Sequence, residues 1–122
     1  MSTPGPDPTA RFFEALGEHS HEPLLRKATG STRFDLVAGR KTDRWLVTVD
    51  KGDIAVTHQG GQADCVLRAE KALFDKVAAG KLNAVAAVLR GDIQVEGDWR
   101  LLVRMQRLFP GPRAARRRRA SA

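Results

Sequence analysis

The sequence predicts an α+β fold in which helices cover one face of a five-stranded, mostly antiparallel sheet. Two observations support this prediction. Apolar residues at helical spacing give way to segments that alternate with period two, and the helical spacing then returns. One side of each alternating segment is polar, so the sheet has a single apolar face. The expected order is α-ββββ-αα-β-α, which is a two-layer arrangement, and 122 residues is the usual length of one domain.

The first helix is predicted from its start signal. Asp7 and Pro8 are suited to a helix cap and a first-turn proline, and Gly17 is expected to end the helix. The apolar residues of this helix are Phe12, Phe13 and Leu16. Pro23 is expected to begin a further short helical turn.

Four short strands are predicted next. Their alternating apolar residues are Phe34 and Leu36, then Trp45, Val47 and Val49, then Ile54 and Val56, then Cys65, Leu67 and Ala69. The connections at 38–41, 50–53 and 59–62 are rich in Gly, Asp, Lys and Gln. Connections this short favour hairpins over parallel crossovers. We therefore expect these four strands to form an antiparallel meander.

The remaining elements are two helices, a strand and a last helix. Phe74 and Val77 lie on one side of the first of these helices, and an Ala/Val-rich helix follows at 82–89. The fifth strand is expected around 93–95 and the last helix at 98–109. We expect residues 8–110 to form the domain, with 1–7 and the Arg-rich 111–122 disordered.

Net charge is concentrated at one end of the chain. The formal charge is +7, and the five arginines of the tail account for most of it, leaving +2 (7 minus 5) for the rest. These arginines are Arg113, Arg116, Arg117, Arg118 and Arg119. Such a tail fits a solubilising segment, a contact with an anionic membrane, or nonspecific phosphate binding. Specific nucleic-acid recognition is not expected, because no aromatic residues accompany the arginines.

Other functional classes find little support. Cys65 is the single cysteine, so an internal disulfide is excluded and a reducing compartment is expected. No apolar run reaches the ~20 residues of a membrane span, and residues 1–8 do not resemble a signal peptide, so a cytoplasmic location is predicted. Two histidines and two carboxylates lie within 18–22, but metal ligands usually come from separate elements. We predict no metal, no cofactor and no catalytic residue.

The last helix has an unusually wide apolar arc. One side carries Trp99, Leu102, Val103 and Gln106, and the neighbouring side carries Leu101, Met105, Leu108 and Phe109. This arc exceeds the ~100° stripe that an ordinary surface helix needs. Either the helix is sunk in the core, or one side packs on the sheet while the other closes a lipid pocket.

Several segments in order resemble one family. The matching residues are Phe74, AGKLN at 79–83, RGDIQVEGD at 90–98, LL at 101–102 and LF at 108–109, preceded by FDL at 34–36, WLVTV at 45–49 and ADCVL at 63–67. Over roughly residues 10–110 the chain resembles the sterol-binding domain of the sterol carrier protein (nonspecific lipid-transfer) family. It departs from that family in its ending, which is 120–122 ASA in place of a peroxisomal Ser-Lys-Leu.

The resemblance implies an apolar tunnel between the layers that binds sterols, fatty acids or other lipids without catalysis. The predicted ligand-binding residues are Phe13, Leu16, Trp45, Val47, Phe74, Val77, Val85, Leu89, Leu102, Met105 and Phe109. The expected partner is a lipid or other apolar small molecule, with transient contact to an anionic membrane. Two alternatives stay open: an interaction or scaffold module with a filled core, and a binder that acts through its basic tail.

Overall fold

The computed structural model describes residues 7–19 and 21–108. The helices are α1 (Pro8–His19), α2 (Lys71–Ala78), α3 (Ala84–Leu89) and α4 (Trp99–Met105), and 3₁₀ turns occur at Pro23–Leu25 and Gln106–Leu108. The strands are β1 (Thr29–Ala38), β2 (Lys41–Asp50), β3 (Asp53–Thr57), β4 (Cys65–Glu70) and β5 (Gln94–Gly97). The predicted order α-ββββ-αα-β-α is confirmed. The last helix becomes a 3₁₀ turn after Met105, and Phe109 lies outside the described residues.

The start of α1 is tied to α2. Asp7 Oδ1 accepts hydrogen bonds from the backbone N–H groups of Thr9 at 3.0 Å and Ala10 at 3.4 Å, as a helix cap does. The same oxygen accepts from Lys71 Nζ at 3.0 Å, and Lys71 also donates to Asp75 at 3.1 Å. The cap and the contact between the two helices therefore share one carboxylate.

The sheet is mixed, with the strand order β3-β2-β1-β4-β5. The β1–β2, β2–β3 and β4–β5 pairs are antiparallel, whereas β1 and β4 are parallel. The prediction of a mostly antiparallel sheet is confirmed. The prediction of a four-stranded meander was wrong, because only β1, β2 and β3 form one and β4 joins the opposite side of β1.

The stagger of the strands explains how a short connection allows this crossing. Thr57 at the end of β3 pairs with Leu46, which lies opposite Arg33, while Cys65 at the start of β4 pairs with Thr32. The two ends are therefore nearly level, three strand spacings or about 14 Å apart. Residues 58–64 reach roughly 25 Å when extended, so the chain moves sideways and does not have to return along the length of the sheet.

The crossing segment is anchored on the polar face of the sheet. Arg33 Nη1 donates to the carbonyl oxygen of Gly61 at 2.8 Å. Arg33 Nε also donates to Asp35 at 2.8 Å, and Arg44 Nε lies 3.5 Å from the same carboxylate. Asp35 is 3% exposed, and its hydrogen bond with Arg33 raises the pKa of that guanidinium. The buried charge is thus paired, as burial requires.

Aromatic rings fill the centre of the interface between the sheet and the helices. Phe13 of α1 stacks on Trp45 with ring centroids 4.7 Å apart and on Phe74 of α2 at 5.8 Å. It meets Phe34 of β1 edge-on at 5.1 Å. Phe13, Phe34 and Phe74 are fully buried. A single ring therefore joins two helices to two strands.

The backbone conformation and the surroundings of Gly97 exclude a side chain. Its φ of +92° is in the left-handed region, and a Cβ there would overlap the backbone carbonyl of Asp64. Gly91 has a similar φ of +85° with open space around it. We predict that Gly97→Ala lowers the free energy of unfolding by more than about 3 kcal/mol, and Gly91→Ala by only about 1 kcal/mol. Urea denaturation measures both, and equal losses would contradict the packing of β5 on β4.

Asp7 makes stability depend on pH. Burial raises the pKa of Asp7, but the hydrogen bond and charge of Lys71 and the N–H groups of Thr9 and Ala10 outweigh it, so the pKa lies below its usual 3.8. Because the folded-state pKa is lowered, the stabilisation is present above pH ~4 and is lost as the pH falls through the lowered pKa. Asp7→Asn keeps a good cap residue but cannot ionise. Wild type should lose stability more steeply than Asp7→Asn below pH ~4 in acid denaturation; parallel curves would refute the role of this carboxylate.

Candidate apolar binding site

The last helix lies directly on the sheet. Asp98 caps α4 by accepting a hydrogen bond from the N–H of Arg100 at 3.0 Å. Leu101, Leu102 and Met105 are 5%, 0% and 1% exposed. A Cβ on Gly30 of β1 would lie 2.9 Å from Leu101 Cδ2, so the absence of a side chain there allows the close approach.

This placement fits a helix sunk in the core, and the closing of a lipid pocket by its other side stays a prediction. Leu101, Leu102 and Met105 belong to the core, and the Thr32 hydroxyl donates to Met105 Sδ at 3.1 Å. Trp99 on the outer side is 37% exposed. The helix is therefore buried along one side. The 3₁₀ turn that follows it borders a surface groove through Leu108.

A groove runs along the outer side of α1. One part, about 280 Å³ in volume, lies between α1 and the 3₁₀ turn that follows α4, and it is lined by Phe12, Ala15, Leu16, His19, Glu22 and Leu108. The other part, about 490 Å³, lies between α1 and the end of α2, and it is lined by Pro8, Arg11, Phe12, Ala15, Ala78 and Ala79. Phe12 and Ala15 border both parts. We call the two parts together the α1 groove.

The α1 groove is continuous with the aromatic core. Leu16 lines the groove and is only 6% exposed. Phe12 packs edge-on against Phe13 at 5.1 Å and against Phe74 at 6.3 Å. The groove therefore has an apolar floor that rests on the rings joining the two layers.

The charged side chains of the α1 groove lie toward its two ends. At one end, His19 Nε2 is 3.3 Å from Glu22 Oε1, and Glu22 also accepts a hydrogen bond from the N–H of Leu24 at 3.0 Å. The backbone hydrogen bond from Leu24 is the main reason that the pKa of Glu22 lies below its usual value, so this end carries a carboxylate. Arg11 lines the other part of the groove. The middle is formed by Phe12, Ala15 and Leu16.

The predicted ligand-binding residues occupy different surroundings. Eight of them are core residues with 7% exposure or less: Phe13, Leu16, Trp45, Val47, Phe74, Val77, Leu102 and Met105. Leu16 belongs to both the core and the groove. Val85 is half-buried, and Leu89, at the end of α3, is 77% exposed and does not line the groove. Phe109 lies outside the described residues.

Nine of the ten residues that line the groove are absent from the predicted ligand-binding set, among them the apolar Phe12, Ala15 and Leu108. Phe12 and Ala15 are three positions apart and so share one side of α1, adjacent to the side that carries Phe13. The apolar arc of α1 is consequently wider than packing on the sheet requires, as is the arc of the last helix. Leu108 belongs to the neighbouring apolar side of the predicted last helix, with Leu101 and Met105.

In the part of the chain that the structure describes, the histidines of residues 18–22 pair with carboxylates of the protein and do not form a metal site. His21 Nδ1 lies 2.7 Å from Asp53 Oδ1 at the start of β3, and His19 pairs with Glu22. Within residues 7–19 and 21–108, no group of three or more His, Cys, Asp or Glu side chains could hold a metal ion. Cys65 is buried. Its burial is the main reason that the pKa of its thiol is raised, and the nearby charge of Asp98 raises the pKa further.

None of the helices described here is long and apolar enough to cross a membrane.

Fold and site together define a class: a two-layer α+β protein with a mixed sheet covered on one face, and an apolar groove where the helices meet. The profile of the SCP-2 sterol transfer family matches residues 11–110, and the chain belongs to this family. The resemblance seen in the sequence is thereby confirmed.

Curated relatives are much longer than this chain. Hydroxysteroid dehydrogenase-like protein 2 of Xenopus laevis is 23% identical over 104 residues, which are 84% of this chain and 25% of that protein. The protein of the same name from Xenopus tropicalis is 21% identical over the same length. The chain thus spans a quarter of the length of these relatives.

Solved structures share the fold. Sterol carrier protein 2 from Yarrowia lipolytica, in its apo form, has a TM-score of 0.63 at 22% identity, over 88% of this chain and 94% of that one. Palmitated SCP2L2 from Aedes aegypti has a TM-score of 0.65 at 16% identity, over 84% and 90%. The sec-alkylsulfatase Pisa1 from Pseudomonas sp. has a TM-score of 0.64 at 19% identity, over 88% of this chain but 17% of that chain. The fold therefore occurs both by itself and within an enzyme.

Proposed function

We propose that this chain binds a lipid without catalysis, and that an acyl chain of the ligand lies in the α1 groove. The observation that carries the proposal is the apolar floor formed by Phe12 and Leu16, closed on one side by Leu108. Membership in the SCP-2 sterol transfer family supports lipid as the ligand class, and the related Aedes protein was solved in a palmitated state. Transfer of the lipid between membranes is part of the proposal.

Burial of methylene groups supplies enough free energy for such binding. Each methylene moved from water to an apolar site gains ~0.8 kcal/mol. A tail of a dozen methylenes gains on the order of 10 kcal/mol before the costs of association are subtracted. The ligand therefore needs no covalent or metal chemistry to be held.

The part of the α1 groove beside Leu108 is by itself slightly small for a lipid, and the part beside α2 adds about 490 Å³. Binding sites for molecules of this size occupy roughly 300–1,000 Å³, and the part beside Leu108 measures about 280 Å³. Met105 lies one helical turn before Leu108 and is buried. Because the methionine side chain is unbranched and adapts to irregular space, its rearrangement would extend the groove toward the core.

The charged side chains Glu22 and Arg11 favour one orientation of an amphiphilic ligand in the α1 groove. Glu22 keeps a carboxylate at one end, where it repels another anion, while Arg11 lies in the part bordered by α2. A fatty acid is therefore best placed with its carboxylate toward Arg11 and its tail toward Leu108.

A second candidate follows from the packed aromatic centre. The close stacking of Phe13, Trp45 and Phe74 fills the middle of the layer interface, as an interaction module with a filled core would require. The two candidates differ in one property, because the interaction module does not bind lipid saturably.

Membrane contact through Arg113, Arg116, Arg117, Arg118 and Arg119 stays a prediction, as does a cytoplasmic location. These arginines lie outside the described residues. They are separate from the α1 groove in our proposal, so the lipid affinity of the groove does not depend on them.

Filling the α1 groove should weaken lipid binding without unfolding the protein. Ala15 is exposed and borders both parts of the groove, so Ala15→Trp puts an indole where the acyl chain would lie. Glu14→Trp places the same side chain on an exposed position of α1 that does not line the groove. We expect Ala15→Trp to weaken binding of a fluorescent fatty acid at least roughly tenfold, and Glu14→Trp to leave it unchanged.

The two possible failures have different meanings. If wild type shows no saturable binding that unlabelled fatty acid displaces, the lipid-binding function is wrong. If wild type binds but Ala15→Trp binds equally well, the ligand lies elsewhere. Melting temperatures of both variants that equal the melting temperature of wild type confirm that folding is unaffected.

A further inference from the structure

An exposed leucine projects from the turn between α1 and β1. Leu24 is 66% exposed, whereas the adjacent Leu25 is 2% exposed and belongs to the core. The turn borders a surface groove of about 440 Å³, separate from the α1 groove, that is lined by Pro23, Leu24, Leu25, Arg26, Lys27, Ala28 and Arg104. We call Leu24, Arg26, Lys27 and Arg104 the Leu24 patch.

The geometry of the Leu24 patch is held by local hydrogen bonds. The N–H of Leu24 donates to the Glu22 carboxylate at 3.0 Å, and the N–H of Ala28 donates to the carbonyl of Leu25 at 2.8 Å. Burial of Leu25 fixes the turn on the core. Leu24 is therefore presented to solvent by a turn with a defined conformation.

The residues lining this groove include three cations and no acid. Arg104 Nη1 donates to the backbone carbonyl of Lys27 at 3.4 Å, which brings a cation of α4 over the turn. That bond employs one of five N–H donors of the guanidinium, and a guanidinium can hold a phosphate through two donors at once. The nearby Glu22 carboxylate is already bonded to Leu24 and His19.

We propose that the Leu24 patch docks the protein on an anionic lipid bilayer. Leu24 enters the boundary between headgroups and acyl chains, and the three cations bind the phosphates of anionic headgroups. Charge complementarity selects this partner, because an apolar side chain beside cations gains from both the apolar and the charged layer of such a membrane. Leu89 is equally prominent on the surface, but its neighbour Arg90 is paired with Asp92 at 3.1 Å.

The position of the Leu24 patch relates docking to the α1 groove. Glu22 lines the α1 groove and immediately precedes Pro23, and Arg104 is about one helical turn before Leu108, which closes that groove. Docking would thus bring the Leu108 end of the α1 groove close to the membrane. This consequence rests on the proposed function, whereas docking itself does not.

Vesicle flotation of the full chain tests the docking surface. The vesicles contain phosphatidylglycerol and phosphatidylcholine in equal parts, with phosphatidylcholine alone for comparison. Arg26→Glu with Lys27→Glu changes two adjacent exposed cations of the patch. Arg40→Glu with Lys41→Glu makes the same charge change at the far hairpin, between β1 and β2. Leu24→Ser is matched by Leu89→Ser.

We expect the patch charge variant to bind the anionic vesicles at least roughly tenfold more weakly than the hairpin variant. Leu24→Ser should lower binding severalfold and Leu89→Ser should not. The proposal is overturned if both charge variants lose affinity equally, which would indicate net charge or the arginine tail, or if wild type prefers neither vesicle. Fatty-acid binding without vesicles should be unchanged in the patch variants, so failure of docking is distinguishable from failure of the lipid-binding function.

Discussion

The structure depends on the burial of Phe13 between the two layers. Its ring contacts Trp45 of β2, Phe34 of β1 and Phe74 of α2 at centroid distances of 4.7 to 5.8 Å. Each aromatic pair contributes ~0.5–1.5 kcal/mol beyond the area that it buries. Because α1 is attached to the sheet through this residue, the adjacent side of α1, which carries Phe12 and Ala15, is left to border a groove. The position of the groove thus follows from the packing of the core.

The elements were predictable because each has a local signal. The alternation of Phe34 with Leu36 and the cap at Asp98 depend only on neighbouring residues, and both predictions are confirmed. The pairing of β4 with β1 had no such signal. It depends on the stagger that brings Thr57 level with Cys65, which is a relation between distant segments that period-two patterns do not record.

The candidate site was predictable only in part for a similar reason. Residues such as Phe13 and Met105 were recognised as apolar and inward-facing, and they are buried. Phe12 and Leu108 line the same groove only because α1 and the 3₁₀ turn Gln106–Leu108 lie side by side, although the two residues are 96 positions apart in sequence (108 minus 12). Leu89 was expected on the inward side of its predicted helix, but α3 buries the side that carries Ala84 and Ala87, and Leu89, two positions after Ala87, faces away from it.

In the proposed complex, an acyl chain lies between α1 and the 3₁₀ turn Gln106–Leu108. Paramagnetic broadening of backbone amide signals by a fatty acid with a nitroxide near its methyl end tests this position directly. The proposed orientation predicts strong broadening at Leu16 and Leu108, weaker broadening at Arg11, and none at Arg40 in the far hairpin. Broadening that is uniform over the surface, or centred on Leu89, would contradict it.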